Sequence, residues 1–335
     1  MNKPPEKFVH VTEDRLLEFA SGCFKKAGTE RSHATCISRL LVNSDLRGVR
    51  SHGTVTVNGY CRAFEKGDAN PKPNIKVLSE TATQSVLDGD GTLGYLPMSK
   101  ASEIAIEKAK EYGVGIATVR HIGHYGSAGH YARICMEAGL IGFSVQGTRN
   151  HGNRRGAEEK PKLGYYGNPP ICFALPSANG PPIVLDAATC IMADYQRGPE
   201  FDVLQEKIPA AFFKSMGYTA VATMLGGGLA GVALSGVEKV ANNWPGAVQG
   251  GMVLAIRIEG LISEVDFRNE VDRLVSDVRA SYEPMPGTDV ASLPGAIEEQ
   301  RMILHRQDGI RYGEKEQAQT REVSARLNVP LPWDE

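Results

Sequence analysis

Three segments of this 335-residue chain hold side chains suited to moving a proton beside an anion. The first is Asp45-Leu46-Arg47-Gly48-Val49-Arg50-Ser51-His52-Gly53. Histidine is the side chain whose ordinary pKa suits proton exchange near neutrality. Gly53 admits close approach of a ligand, and Arg47 and Arg50 can fork onto a carboxylate. A histidine that merely satisfies a loop fits the same triplet. The second segment is Arg120-His121-Ile122-Gly123-His124-Tyr125-Gly126-Ser127-Ala128-Gly129-His130, with three histidines after a predicted strand and at the start of a predicted helix. A helix N-terminus offers free N–H groups and partial positive charge to an anion. His121 and His130 read equally as surface or helix residues. The third pairs Gly167-Asn168-Pro169-Pro170-Ile171 with Val184-Leu185-Asp186-Ala187-Ala188-Thr189. Asp186 there could orient a histidine, although capping the next turn is its simpler local role. The histidine spacings are not those of H-E-x-x-H and no carboxylate interleaves, so no metal is expected.

One apparent nucleotide signature is set aside. Gly226-Gly227-Gly228-Leu229-Ala230-Gly231 fits G-x-G-x-x-G by letter, but that motif works as a turn between strand and helix. Here it lies within Gly217 to Val232, a small-residue stretch with helical spacing, where glycine serves close packing.

The elements that must hold these residues change character along the chain. Thr12 caps a predicted helix with Leu16, Leu17, Phe19, Ala20, Cys23 and Phe24 on its apolar face. A second helix carries Ala34, Ile37, Leu40 and Leu41, and Pro71 and Pro73 end the helical region. Strands are predicted at 75–78, 85–87, 114–119, 140–145, 182–185 and 252–258. Helices are predicted at 97–112, 126–138, 265–279 and, in the polar tail, near 296–306. Residues 149–162 read as a polar loop with His151, Arg154 and Arg155. Helices followed by mixed strands and helices indicate an α+β fold rather than a doubly wound sheet.

A net charge of −2 with interspersed signs gives no basis for binding nucleic acid or an anionic membrane. No apolar run matches a membrane span, and the N-terminal residues lack a signal peptide's apolar stretch. Six scattered cysteines without a C-x-x-C pair read as reduced thiols of a cytoplasmic protein.

Together, D-L-R-G-x-x-S-H-G at 45–53, H-[FY]-G-x-A-G at 124–129, N-P at 168–169 and V-L-D-x-A-T at 184–189 resemble the malate/L-lactate dehydrogenase family, which includes L-sulfolactate dehydrogenases. Val86 to Asp90, Leu293-Pro294-Gly295 and Gly309-Ile310 match as well. The resemblance implies a non-Rossmann NAD or NADP enzyme. It implies an N-terminal helical domain (1–73, joined by the tail 260–335) and a larger mixed-sheet α+β domain (74–259), assembled as a homodimer. By the same resemblance, His52 is the proton donor and acceptor, His124 lines the substrate pocket and Asp186 positions the reacting groups. Arg47, Ser51 and Tyr60 would bind the substrate acid. Asn168 and Thr189 would lie near the cofactor.

The chain departs from the family pattern in three places. Thr56 stands where an arginine usually clamps the substrate carboxylate. Met216 lies where a His-Lys pair is expected before Gly217-Tyr218. The stretch 190–213 is shorter than usual. Lys214 is the candidate replacement for the lost lysine, with Arg154, Arg155 and Arg197 as further cations. Two readings follow: an NAD(P)-dependent oxidoreductase on a small 2-oxo or 2-hydroxy acid or a cyclic imino acid, or a relative that has lost the nicotinamide site and runs proton chemistry alone as a lyase, hydrolase or isomerase.

Overall fold

The computed structural model describes residues 4–148, 168–192, 198–234 and 237–333. Helix α1 (Glu13–Lys26) starts where the Thr12 hydroxyl accepts from the Arg15 N–H. Glu13 and Asp14 open it and Lys25 and Lys26 close it, which suits the helix dipole. Its buried face is Leu16, Phe19, Ala20, Cys23 and Phe24, while Leu17, expected on the same face, is half-buried. It packs on α2 (Arg31–Leu46), and α3 (Val57–Lys66) completes the helical unit.

The rest of the core is a seven-stranded sheet in the order β2-β3-β4-β8-β5-β6-β7. Its strands are β2 (Lys76–Glu80), β3 (Gln84–Asp88), β4 (Val114–Ile122), β5 (Ile141–Thr148), β6 (Pro170–Leu175), β7 (Ile183–Ala188) and β8 (Gln249–Ile256). Only β3 and β4 run parallel, joined through α4 (Tyr95–Tyr112); the other pairings are antiparallel. Helices α4 and α5 (Gly129–Glu137) pack on the sheet, and α2 packs in turn on α4. One continuous apolar core therefore runs from Phe24 and Leu41 through Met98 and Ala105 to Val119 and Val253. The fold is α+β, as the order of elements indicates.

The six predicted strands correspond to β2, β3, β4, β5, β7 and β8. The helix predicted from Gly126 starts at Gly129 instead, which leaves His124 to Ala128 as a loop. The small-residue stretch belongs to α7 (Pro209–Thr223), which continues into a π-helical turn at Met224–Gly228. That turn lies directly on β5: a Cβ on Gly226 would come within 2.4 Å of Gly147 N. Glycine allows close packing here, onto a strand rather than a second helix. A short helix α6 (Pro199–Lys207) precedes α7, and α8 (Val237–Asn243) precedes β8.

The tail returns to the helical unit. Strand β1 (Phe8–Val11) pairs antiparallel with β9 (Ile310–Gly313), with Val11 opposite Ile310. Helix α10 (Ala296–Asp308) packs on α2, while α11 (Glu314–Leu327) packs on α3 and α1. Helix α9 (Glu264–Ser281) instead meets the β6–β7 connection, where Asp272 accepts from the Asn179 and Gly180 N–H groups.

Candidate active site

His52 ends a single 3-10 turn, Arg50–His52, just beyond α2. The turn is tied down from behind by Asp45 in the last turn of α2. Asp45 Oδ2 accepts from the Thr54 N–H at 2.8 Å and from the Thr54 hydroxyl at 2.6 Å. Because the Thr54 hydroxyl donates there, it accepts from Tyr312 OH at 2.9 Å, and Tyr312 OH accepts from Thr320 at 2.7 Å. Burial pushes the Asp45 carboxyl up to about 7, against the lowering effect of the two Thr54 bonds. Strand β9 and helix α11, at the far end of the chain, thus hold the loop that carries His52.

The structure corrects the local reading of the two arginines. Arg47 is buried, donates to Asn43 Oδ1 at 2.9 Å and pairs with Glu299 of α10. Arg50 forks onto Glu316 of α11, at 2.7 and 2.6 Å. Each guanidinium has a carboxylate of its own, and neither lines the cavity in front of His52.

His124 sits in the loop between β4 and α5, its ring stacked on His52 at 5.9 Å between centroids and 27° between planes. Its Nδ1 receives the Gly126 N–H at 3.3 Å, and an N–H can only donate. Nδ1 is therefore the acceptor, Tyr60 OH donates to it at 2.6 Å, and the ring proton sits on Nε2. Tyr60 OH in turn accepts from Tyr95 OH at 3.1 Å. Burial, then the neighbouring His52, pull the His124 pKa down to about 4. His124 is thus a neutral donor near pH 7. Burial also lowers His52, while the nearby Asp186 carboxylate works in the opposite direction.

Asp186 lies on β7 opposite Cys172 of β6. Its Oδ2 accepts from the Ser127 hydroxyl and, at 3.0 Å, from the Gly129 N–H that opens α5. The carboxylate caps a helix, but not the turn that follows it in sequence: it fixes the start of α5, some 57 residues earlier, and borders the cavity.

The cavity measures about 840 Å³. It is bordered by Ser51 and His52, by His124 and Ser127, by Asp186, by Asn168, and by Gln146, Thr148 and Gln249 at the ends of β5 and β8. The Ser51 hydroxyl meets His52 Nδ1 at 2.9 Å. Of the residues singled out in the sequence, His52, His124, Asp186, Ser51 and Asn168 converge here, with Tyr60 behind His124. Thr189 is buried away from the cavity lining: its hydroxyl donates to Pro169 O at 2.7 Å, and its carbonyl accepts from Ser215. Lys214 is exposed on α7 and Thr56 bonds back to Gly53 O, so neither borders the cavity. His151, Arg154, Arg155 and Arg197 lie outside the described residues.

His121 takes a left-handed backbone (φ 57°) and is buried against Asp88, with Nδ1 3.0 Å from both carboxylate oxygens. It fastens the turn after β3 and is not a surface residue. Gln146, Thr148 and Gln249 escaped the sequence reading, since a glutamine near a strand end belongs to no chemical motif. Among the described residues no group of three or more His, Cys, Asp or Glu side chains could hold a metal ion, and no helix is long and apolar enough to cross a membrane.

The family model described as malate/L-lactate dehydrogenase matches residues 11–196. L-sulfolactate dehydrogenase of Methanocaldococcus jannaschii is 30% identical over 337 residues, which cover 92% of this chain and 94% of that protein. Malate dehydrogenase of Pyrococcus abyssi is 36% identical over 187 residues, 56% of this chain and 50% of the relative. Among solved structures, malate dehydrogenase from Pyrococcus horikoshii superposes with a TM-score of 0.81 at 25% identity, covering 99% of each chain. The agreement spans both the helical unit and the sheet that meet at His52, and the chain belongs to the malate/L-lactate dehydrogenase family.

Proposed function

We propose that the protein is an NAD(P)-dependent oxidoreductase acting on a small 2-oxo or 2-hydroxy acid, or on a cyclic imino acid. The observation that carries this reading is the stacked pair His52–His124 at the cavity wall, one ring able to exchange a proton and the other held as a neutral donor. In the oxidising direction neutral His52 takes the hydroxyl proton of the substrate; in the reducing direction protonated His52 returns it to the developing alkoxide. His124 Nε2–H donates to a substrate oxygen, an uncharged bond that stays in place through the reaction. Asp186 faces His52 and favours its protonated form, which eases the proton transfer. Ser51 holds His52 through Nδ1, and Tyr60 holds His124.

A nicotinamide dinucleotide, when bound, supplies or accepts the hydride. Gln146, Thr148, Asn168 and Gln249 are the residues that would hold its ring end. Gln249 Oε1 is buried without a hydrogen-bond partner, which suits a group bearing N–H. With Arg47 held by Glu299 and the Ser127 hydroxyl donated to Asp186, the described residues leave His124 Nε2–H and the loop 49–51 as donors for the carboxylate of the substrate. This favours small acids over those needing a forked arginine. The assembly in this reading is a cytoplasmic homodimer.

Titration with NADH and with NADPH, followed by fluorescence or calorimetry, tests the proposal. Binding followed by turnover of a 2-oxo acid that falls at least about a hundredfold in His52→Ala is the expected result. Absence of binding to either dinucleotide at millimolar concentration would overturn it in favour of proton chemistry alone.

A further inference from the structure

Two glutamines lie in the cavity wall on neighbouring strands. Residue Gln249 opens β8 and Gln146 lies near the end of β5. Thr148 pairs with Gln249 and Gln146 with Gly251, so the two glutamines are diagonal neighbours on one face of the sheet. Gln146 is 5% exposed, and its Nε2 is engaged by Gly123 O at 3.3 Å, leaving Oε1 as its free end. Gln249 is the reverse case. Its Oε1 is buried and bonded to nothing, so the amide can turn about its last torsion without losing a hydrogen bond at that oxygen.

An unmade bond at a buried carbonyl oxygen costs about 1–3 kcal/mol. A ligand that satisfies it recovers that cost. Strand-borne glutamines are also poor candidates for a purely structural task here, since neither is buried in the apolar clusters and both border the same opening. A pair that offers amide oxygens, and an amide N–H₂ when Gln249 turns, complements a group having both a donor and an acceptor within one plane. A carboxamide is such a group; a carboxylate is not, because it has no N–H to donate to Gln249 Oε1.

We propose that Gln146 and Gln249 form a carboxamide-reading pair that orients the nicotinamide ring at the His52–His124 end of the cavity. The inference rests on the dinucleotide-dependent reading above and deepens it. Gln249 accepts from the amide N–H₂, and Gln146, fixed by Gly123, limits the ring to one orientation of its two flat faces. Specificity for the amide then resides in side chains of the sheet and not in a phosphate-binding loop.

The test compares binding of NADH with binding of the reduced 3-acetylpyridine analogue, in which a methyl ketone replaces the carboxamide and no N–H₂ remains. Calorimetry on the full chain reads affinity without requiring turnover. The wild type should prefer NADH about tenfold, the equivalent of one neutral hydrogen bond. Gln249→Met should abolish that preference, and Gln249→Glu, which keeps an acceptor, should retain it. Equal affinity of the wild type for both dinucleotides overturns the inference without any variant having to fold. So does a tenfold preference that persists in Gln249→Met. If neither dinucleotide binds, the dehydrogenase reading fails and this inference with it; if both bind and no preference is found, only this inference fails.

Discussion

The carboxylate of Asp45 occupies the space that a side chain on Gly53 would need: a Cβ built there would lie 1.8 Å from Asp45 Oδ1. The glycine after His52 is thus a steric requirement of the residue seven positions before that histidine. Gly53→Ala must displace the buried carboxyl from its two Thr54 bonds. A loss of about 3 kcal/mol in unfolding free energy is expected, read by chemical denaturation. A change below about 1 kcal/mol would show that the loop can shift aside at little cost.

Tyr60→Phe removes the hydroxyl that donates to His124 Nδ1 but leaves the Gly126 N–H in place. The imidazole keeps its tautomer and loses part of its alignment. Turnover of the best 2-oxo acid should fall by about tenfold, with the loss mainly in kcat and little in KM. An unaltered kcat would remove Tyr60 from any role in orienting His124.

The lowered His52 pKa gives the pH profile a definite sign. Oxidation of the hydroxy acid needs neutral His52, so its rate should hold down to about pH 6.5 and fall only below it, whereas reduction should gain as the pH drops through the same range. Stability follows the same direction for the two more deeply buried rings. Burial first, then nearby positive charge, hold His124 at about 4 and His130 at about 3. Between those values and the ordinary 6.5 the unfolded chain binds more protons, so stability is complete above about pH 6.5 and is lost as the pH falls toward 4 and then 3. For His124 the full loss is ~3 kcal/mol. Asp45, pushed up to about 7, works in the opposite direction over this range, so the check is a comparison: a stability loss between pH 6.5 and 4.5 that is no smaller in His124→Gln than in the wild type would contradict this sign.

Helix α7 buries Phe212, Ser215, Thr219 and Ala222 against the sheet side. Its other face leaves Phe213 and Val221 exposed by 72% and 57%, continued by Met224 of the following π-helical turn at 62%. A stripe of large apolar side chains at that exposure suits contact with a second copy of the chain. Light scattering should report a dimer for the wild type and a monomer for the double variant Phe213→Glu, Met224→Lys. A dimer in the double variant would place the interface elsewhere.

How much of this was legible beforehand depended on where the information lay. Helix α1 could be read because its cap, its charges and its apolar stripe all agree within fourteen residues. Helix α11 could not, since E-K-E-Q-A-Q-T-R-E-V has no apolar stripe and buries Glu316, Thr320 and Val323 through contacts made at long range. Strands β1 and β9, four residues each, exist because of one another and have no local signature. In the site, His52, His124 and Asp186 were visible as motif residues. The partners Glu299 and Glu316, which occupy Arg47 and Arg50, were not, because an ion pair across some 250 residues leaves no pattern in the sequence. Those two carboxylates are what turned an expected substrate clamp into scaffolding.

The pairing of β1 with β9, and of Thr54 with Tyr312, gives the molecule an order of assembly. The segment that carries His52 is made early, yet the residues that pin it come about 260 positions later. During synthesis the sheet can collapse around α4 and α5 while the histidine loop is still untethered, and closing so long a loop carries an entropic cost that only the finished chain can meet. A polypeptide truncated before Tyr312 would keep all seven strands of the main sheet and both cavity histidines, His52 and His124, and still lack the bonds that fix the His52 loop.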